Sequence, residues 1–142
     1  NNSTIYYEEI EDEDGIWNIH ETYSFQANIH DLSQTFDVLI NLKLKKDFLT
    51  ENLWVFITTK SPSNTIQTDT ILYYISDEYG KWYGEEKRKY IDYKLMYKPM
   101  IRFPEKGDYN FTILHGMREK DLPQIQSVAL LIQKSKLTES DN

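Results

Sequence analysis

The sequence predicts an all-β protein folded as a single antiparallel β-sandwich of eight or nine strands. Apolar residues alternate with polar ones in one short segment after another, which places them on one face of a strand. The chain contains eleven Tyr, six Phe and three Trp, which favour strands, but only five Gly and four Pro. Turn signals separate the segments at a spacing typical of sandwiches. Both an immunoglobulin-like and a jelly-roll-like Greek key fit this pattern.

One domain accounts for the whole chain. A protein of 142 residues buries enough surface to fold without a metal or a disulfide. No internal repeat or low-complexity linker divides the sequence. We therefore expect one β-sandwich domain over residues 1–142, with a short N-terminal lead at 1–4 and a frayed C-terminal tail at 136–142.

The first four predicted strands fall into two kinds. Residues 23–29 and 36–44 alternate strictly, which predicts half-buried antiparallel strands. "LWVFITT" (53–59) and "TILYYIS" (70–76) are apolar on both faces for a few residues, which predicts central strands.

Two further strands and the connecting turns complete the prediction. Strict alternation returns at 109–113, and "IQSVALLIQK" (125–134) is the last predicted strand. Between Lys46 and Glu51 we expect a single helical turn. Clusters of turn-forming residues lie at 61–64, 77–80 and 104–108.

Charge and composition exclude several classes of function. Residues 1–42 hold nine of the 23 acidic residues and none of the 16 Lys and Arg residues, so the acidity is N-terminal. A nucleic-acid site needs clustered cations, and the one cluster, at 87–89, directly follows two glutamates, so we expect no nucleic-acid partner. The chain has no Cys, which excludes thiol chemistry, and no run approaches the ~18 apolar residues of a membrane span.

The acidic run "EIEDEDGIWNIHE" is the nearest approach to a metal motif. Asp12, Asp14, Gly15 and Glu21 match positions of a calcium loop, but its first position is Ile10, which has no side-chain oxygen. We therefore predict a solvated acidic loop between strands, with no metal and no cofactor.

No constellation of catalytic residues can be assembled from the sequence. His20, His30 and His115 are widely spaced, and the chain has neither a nucleophile-elbow motif nor a glycine-rich phosphate loop. We expect His115, which stands beside a turn, to be a structural residue, and we expect no enzymatic activity and no catalytic residue.

The segment "GKWYG" (80–84) and Arg118 are the candidate binding residues. If Trp82 and Tyr83 are exposed, they suit contact with a partner protein or a sugar ring. The structural alternative is a hairpin in which Trp82 closes the end of the core. The same structural alternative applies to Trp17. Arg118 either bonds loop carbonyls or an acid such as Asp121, or stands exposed beside Trp82 as a partner contact.

The segment "FPEKGDY" (103–109) predicts a structural corner. Pro104 fixes φ in a turn, and Gly107 supplies a backbone position with positive φ. Tyr109 then enters the next strand, where its hydroxyl can bond back to the backbone as in the tyrosine corner of sandwich domains. Phe103 completes this motif.

The order of these motifs resembles the GldH family of gliding-motility-associated lipoproteins. The resemblance runs from about Ile40 to Ile132 and is most specific at three places, which are Phe103-Pro104 with Gly107-x-Tyr109, Met117-Arg118, and Gly80-x-Trp82-x-Gly84. The chain departs from the family at Gln124 and Ala129, where Gly is usual, and we expect an altered partner surface at these two positions.

The resemblance implies a secreted precursor with a lipobox Cys, anchored by lipid to an envelope membrane and facing the periplasm or the exterior. A Cys-free chain that begins at "NNST" fits a body cut just after such an anchor. The implied role is an accessory one, through contacts with other envelope proteins of the gliding and secretion machinery. A carbohydrate-binding module that stacks Trp82 and Tyr83 on glycan is the alternative.

Overall fold

The computed structural model describes residues 3–136 and contains eleven β-strands in that part of the chain. Eight strands have seven residues or more, and three are short. No helix capable of crossing a bilayer occurs within residues 3–136. The long strands are β1 (Thr4–Glu11), β3 (Tyr23–Ile29), β4 (Phe36–Lys45), β5 (Asn52–Lys60), β6 (Ile66–Tyr74), β8 (Tyr90–Ile101), β9 (Gly107–His115) and β11 (Ile125–Lys134). The short ones are β2 (Ile16–Asn18), β7 (Glu85–Glu86) and β10 (Asp121–Pro123).

The long strands form two antiparallel sheets with a nested pattern of pairing. The first sheet has the order β1-β11-β4-β8-β7 and the second has the order β3-β9-β5-β6. β1 pairs with β11, β3 with β9, β4 with β8 and β5 with β6. The eight long strands therefore pair from the two ends of the chain inward. This is the double Greek key of a jelly roll, so the all-β sandwich prediction is confirmed and, of its two forms, the jelly-roll form is observed.

Alternation explains how the sheets pack. In β3 the residues Tyr23, Phe25, Ala27 and Ile29 are buried and the three between them are exposed, as expected for one face on the core. β4 differs from the half-buried strand that we predicted, because it lies between β11 and β8 and its side chains are almost all buried.

Several other sequence predictions need correction. β6 is an edge strand and not a central one, because only β5 pairs with it. β8 was not predicted, and residues 9–11 of the acidic run, expected in a loop, lie in β1. Residues 46–47 form a turn in which the Phe48 N–H bonds the Lys45 carbonyl, without a helix. Thr4, assigned to the lead, begins β1, and most of the expected tail, from residue 137, lies outside the described residues.

The registers place the motifs at two opposite ends of the sandwich. β5 begins where β9 ends, since Val55 pairs with His115, and β6 ends beside the start of β5. His115 to Arg118 therefore lies at the same end as the start of β5, which we call the proximal end. The corner at 103–109 lies at the other, distal end, where Gly107 pairs with Ile29.

Candidate functional site

His115 is a structural residue at the end of β9. Its side chain is buried, with 1% of its surface exposed. The Met117 N–H donates to Nδ1 at 3.1 Å, so the proton is on Nε2, which lies 3.0 Å from the Trp17 carbonyl oxygen and 3.2 Å from that of Lys120. The ring thereby ties β9 to the ribbon formed by β2 and β10.

Arg118 follows this buried anchor and is exposed. Among residues 3–136 its guanidinium makes no hydrogen bond and no ion pair. Asp121, one of the alternative partners that we considered for Arg118, instead accepts a hydrogen bond from Asn18 Nδ2 at 2.7 Å. Arg118 lines a surface depression of about 400 Å³ together with Trp54 and Met117. It is therefore a cation without a protein partner in the described part of the chain, at the border of an aromatic surface.

That surface is the outer side of the second sheet, near its proximal end. Trp54 and Phe56 both point outward from β5 and are 41% and 38% exposed. Two outward neighbours across the sheet are also apolar: Trp54 pairs with Leu72 and Phe56 pairs with Leu114, while Thr70, on the other side of Phe56, is polar. Tyr74 extends the row along β6 and is 63% exposed. We call Trp54, Phe56, Leu72, Tyr74 and Leu114 the aromatic face.

The chain after β9 is fitted to the aromatic face. A Cβ atom added at Gly116 would lie 2.8 Å from two ring atoms of Phe56, so only glycine leaves room for that ring. The Trp54 N–H donates to Met117 Sδ at 3.3 Å, and the Gly116 N–H donates to the Trp54 carbonyl at 2.8 Å. These hydrogen bonds fix the backbone of Trp54 beside the chain that follows β9, and Gly116 lies against the ring of Phe56.

The "GKWYG" segment lies in the connection between β6 and β8. Trp82 forms a bridge with Ser76 and is half-buried against the core. Tyr83 is 64% exposed and lines a depression of about 260 Å³ with Tyr74, Glu85, Asp92 and Lys94. A Cβ atom on Gly84 would lie 2.8 Å from the Asp92 carbonyl oxygen, which explains the second glycine. The two aromatic residues thus have different environments.

The corner at 103–109 has the geometry of a tyrosine corner. The Tyr109 hydroxyl donates to the Glu105 carbonyl at 2.7 Å and accepts from the Glu105 N–H at 3.1 Å. Gly107 has a φ of 127°. The buried ring of Phe103 packs on the ring of Tyr109 with centroids 4.8 Å apart, and Pro104 is exposed.

The carboxylates of the acidic run bind the chain itself. Asp12 and Asp14 both accept the Ile16 N–H at 3.1 Å, Asp12 also accepts the Tyr23 hydroxyl, and Glu21 accepts the Asn18 N–H. Within the described ranges no group of three or more His, Asp or Glu side chains is arranged to hold a metal ion. The oxygens therefore stabilise the turn between β1 and β2.

Trp54 and Phe56 were not predicted as candidate binding residues, although the sequence carries a signal for them. "LWVFITT" is apolar on both faces, and we took this as the mark of a central strand. β5 is indeed central in its sheet, but no layer covers its outer side in residues 3–136. In β5, therefore, the apolar residues on the inner face are buried in the core, and those on the outer face, Trp54 and Phe56, are exposed.

Comparison with known proteins identifies the family of the chain. The fold and surface define a jelly-roll domain with an exposed aromatic face. The family model described as GldH lipoprotein matches residues 4–132, and the chain belongs to this family. It is 27% identical over 126 residues to a gliding motility lipoprotein GldH homolog of Christiangramia forsetii, covering 84% of this chain and 78% of the relative. It is 23% identical over 113 residues to gliding motility lipoprotein GldH of Flavobacterium johnsoniae, covering 79% and 70%.

A solved structure also aligns with the chain. The VP2 subviral particle of infectious bursal disease virus gives a TM-score of 0.44 with 12% identity. The alignment covers 92% of this chain and 32% of the viral chain, so this chain spans about a third of that protein.

Proposed function

We propose that this domain is the folded body of a lipid-anchored accessory protein of the cell envelope, which acts by binding other envelope proteins through the aromatic face and turns over no substrate. The family is one of lipoproteins, and both relatives above are named for gliding motility. In this proposal the body faces the periplasm or the exterior, and its partners belong to the gliding and secretion machinery.

The aromatic face is the observation that supports the proposal. Exposed single apolar residues are ordinary, but adjacent exposed aromatic residues form a patch of the kind that marks binding surfaces. Trp and Tyr are enriched among the residues that dominate binding energy, because they bury a large area at a small entropic cost. Trp54 and Tyr74 are two such residues on one face.

Arg118 defines the chemistry of the partner. It borders Trp54 and has no acidic partner among residues 3–136, so a carboxylate opposite it would complete a charge-assisted pair. We therefore expect a partner with an apolar surface flanked by Asp or Glu. Removing such a pairing from a buried interface typically weakens binding by about 2 kcal/mol or more, roughly thirtyfold.

Site-specific photocrosslinking in cells tests the proposal. A photoreactive residue replaces Thr70, which is exposed opposite Phe56, in the lipid-anchored protein. We expect a defined adduct with an envelope protein that is lost in Trp54→Ala and in Arg118→Glu. Gln26, an exposed position on β3 of the same sheet, is the matched control for the crosslinker, and Arg88→Glu is the control for the charge reversal. An adduct of equal yield from Gln26, or one unaffected by Trp54→Ala, would contradict the proposal.

A glycan site is the second candidate function, favoured by one observation. Tyr74 and Tyr83 are both more than 60% exposed and line one depression with the carboxylates of Glu85 and Asp92. Exposed aromatic rings beside acceptor oxygens suit sugar binding. A glycan array probed with the wild type and with Tyr83→Ala tests it: binding lost in the variant supports a sugar site, and an array without hits removes it.

A further inference from the structure

A second site lies at the distal end, between the two sheets and away from the aromatic face. A cavity of about 500 Å³ opens there, within the size range of small-molecule sites. Its deep wall is apolar and consists of Val38, Phe103, Tyr109 and Phe111, each 5% exposed or less. Lys98, Arg102 and residues of the β5–β6 turn surround its mouth.

The cavity exists because β6 of one sheet and β8 of the other are in contact along only part of their length. β6 and β8 are linked by the Tyr73 hydroxyl, which donates to the Met96 carbonyl at 3.2 Å, and by the Tyr97 hydroxyl, which donates to Asp69. Beyond these links the register of β8 against β4 shifts twice, and Pro99 removes a backbone donor. The sheets therefore leave an opening between Tyr97 and the turn that follows β5.

Polar side chains occupy inward positions at this opening. The inward row of β5 runs through Leu53, Val55 and Ile57 to Thr59, and Thr59 pairs with Gln67 on β6. Inward positions of a sandwich are ordinarily apolar. Thr59 and Gln67 line the cavity, so its entrance is polar while its depth is apolar.

Arg102 is the cation at the mouth that has no ion pair among the described residues. Its Nε donates to the Ser33 carbonyl at 3.0 Å, and residues 3–136 supply no partner for its two Nη groups. The other charges are engaged, since Lys98 Nζ lies 3.4 Å from Asp69 and Glu105 accepts the Ser63 hydroxyl at 2.6 Å. A planar guanidinium with two free Nη groups suits a carboxylate.

We propose that this cavity binds a single-chain amphiphile with a carboxylate head, that is, a fatty acid, with the chain along the more accessible apolar lining at Tyr97, Ile101 and Pro104 and the carboxylate on the Nη groups of Arg102. A sugar fits less well, because the depth of the cavity is apolar and would leave sugar hydroxyl groups without hydrogen-bond partners. An added peptide strand fits less well also, because Pro99 and the inward carboxylate of Asp69 interrupt pairing at these edges.

Titration with laurate below its micelle concentration tests the inference, with binding followed by calorimetry. We expect one saturable site in the wild type. Thr65→Trp places a large side chain at the exposed lip and should abolish binding, whereas Thr68→Trp, on the same hairpin but outside the lining, should leave it unchanged. Circular dichroism and thermal melting of each variant establish that it is folded.

The head group is tested separately. Arg102→Ala should weaken laurate binding by about tenfold or more, the typical loss for a charge-assisted hydrogen bond. Arg88→Ala, another exposed arginine, is the matched control, and a neutral dodecyl maltoside should bind wild type and Arg102→Ala equally. Absence of laurate binding to the folded wild type, or equal binding by wild type and Thr65→Trp, would overturn the inference. Because Trp54 and Arg118 are untouched, neither result bears on the protein contacts proposed above.

Discussion

The imidazole of His115 and the carbonyl of Trp17 join two parts of the chain that are 98 residues apart, with Nε2 3.0 Å from the oxygen. The two rings also meet edge to face, with centroids 5.3 Å apart. Because Met117 donates to the other ring nitrogen, the same imidazole positions the residues that follow β9. His115 therefore supports the site without belonging to it.

Replacing His115 by Ala should destabilise the protein by about 2–4 kcal/mol. The variant leaves the Trp17 carbonyl and the Met117 N–H without their partner and creates a cavity beside a buried tryptophan. Urea unfolding followed by tryptophan fluorescence measures the loss. His20→Ala, at an exposed position, is the control and should change the free energy of unfolding by less than about 0.5 kcal/mol. Equal stability of the two variants would contradict the structural role of His115.

Replacing Gln124 by Gly should stabilise the protein. Gln124 has a φ of 68°, a left-handed conformation that costs an L-residue about 1–2 kcal/mol and glycine almost nothing. After the larger backbone entropy of unfolded glycine is subtracted, a gain of about 0.5–1 kcal/mol is expected. Gln133→Gly, inside β11, carries the same exchange at an ordinary strand position and should destabilise. A gain in both variants, or in neither, would count against this account.

The Tyr109 hydroxyl should contribute about 1 kcal/mol to stability. Tyr109→Phe removes the bonds to both backbone groups of Glu105 while keeping the buried ring. Thermal unfolding compared with that of Tyr79→Phe, whose ring is 88% exposed, isolates the hydroxyl. If both phenylalanine variants have the melting temperature of the wild type, the Tyr109 hydroxyl does not stabilise the corner.

Asp69 should make stability depend on pH in the acid range. The hydrogen bond from the Tyr97 hydroxyl, with help from Gln67 and Lys98, lowers the pKa of Asp69 even though burial opposes the shift. Since the folded pKa lies below the unfolded value, the carboxylate stabilises the fold above the unfolded pKa, near 3.9, and this contribution is lost as the pH falls through the folded pKa. Asp69→Asn should therefore flatten the stability profile below about pH 4.

The control for this pH dependence is Glu78→Gln, which removes an exposed carboxylate. Urea unfolding at a series of pH values should show the wild-type slope in the control and a smaller slope in Asp69→Asn. Identical slopes in the two variants would show that Asp69 does not carry the dependence.

The departures from the family at Gln124 and Ala129 have a structural meaning that the sequence did not give. We expected an altered partner surface at both positions. The Ala129 side chain is 1% exposed, so it contributes no contact surface, and that expectation is wrong for this residue. Gln124 stands where positive φ makes glycine the natural choice, so a backbone requirement explains the family pattern there.

Two of the long strands, β8 and β1, were missed for identifiable reasons. β8 breaks alternation, because its register against β4 shifts around Tyr97 and Pro99 follows soon after. β1 was hidden by its charge: Glu9 and Glu11 suggested a loop, yet Glu9 is held by Lys43 at 2.9 Å and by the Ser127 hydroxyl. A strand at the edge of a sheet can carry such residues because one side of it faces solvent.

The sequence by itself determined the all-β class, the two-sheet sandwich, the strands at 23–29 and 125–134, and the corner at 103–109, because alternation and turn chemistry are local properties. Only the tertiary structure decided that the strands nest as a jelly roll, that β6 is an edge, that Trp54 and Phe56 face outward and that a cavity opens beside Arg102. These features depend on pairing between residues far apart in the chain. The alternation of side chains along a strand shows that it has two different faces, but it does not determine which face another layer of the protein covers.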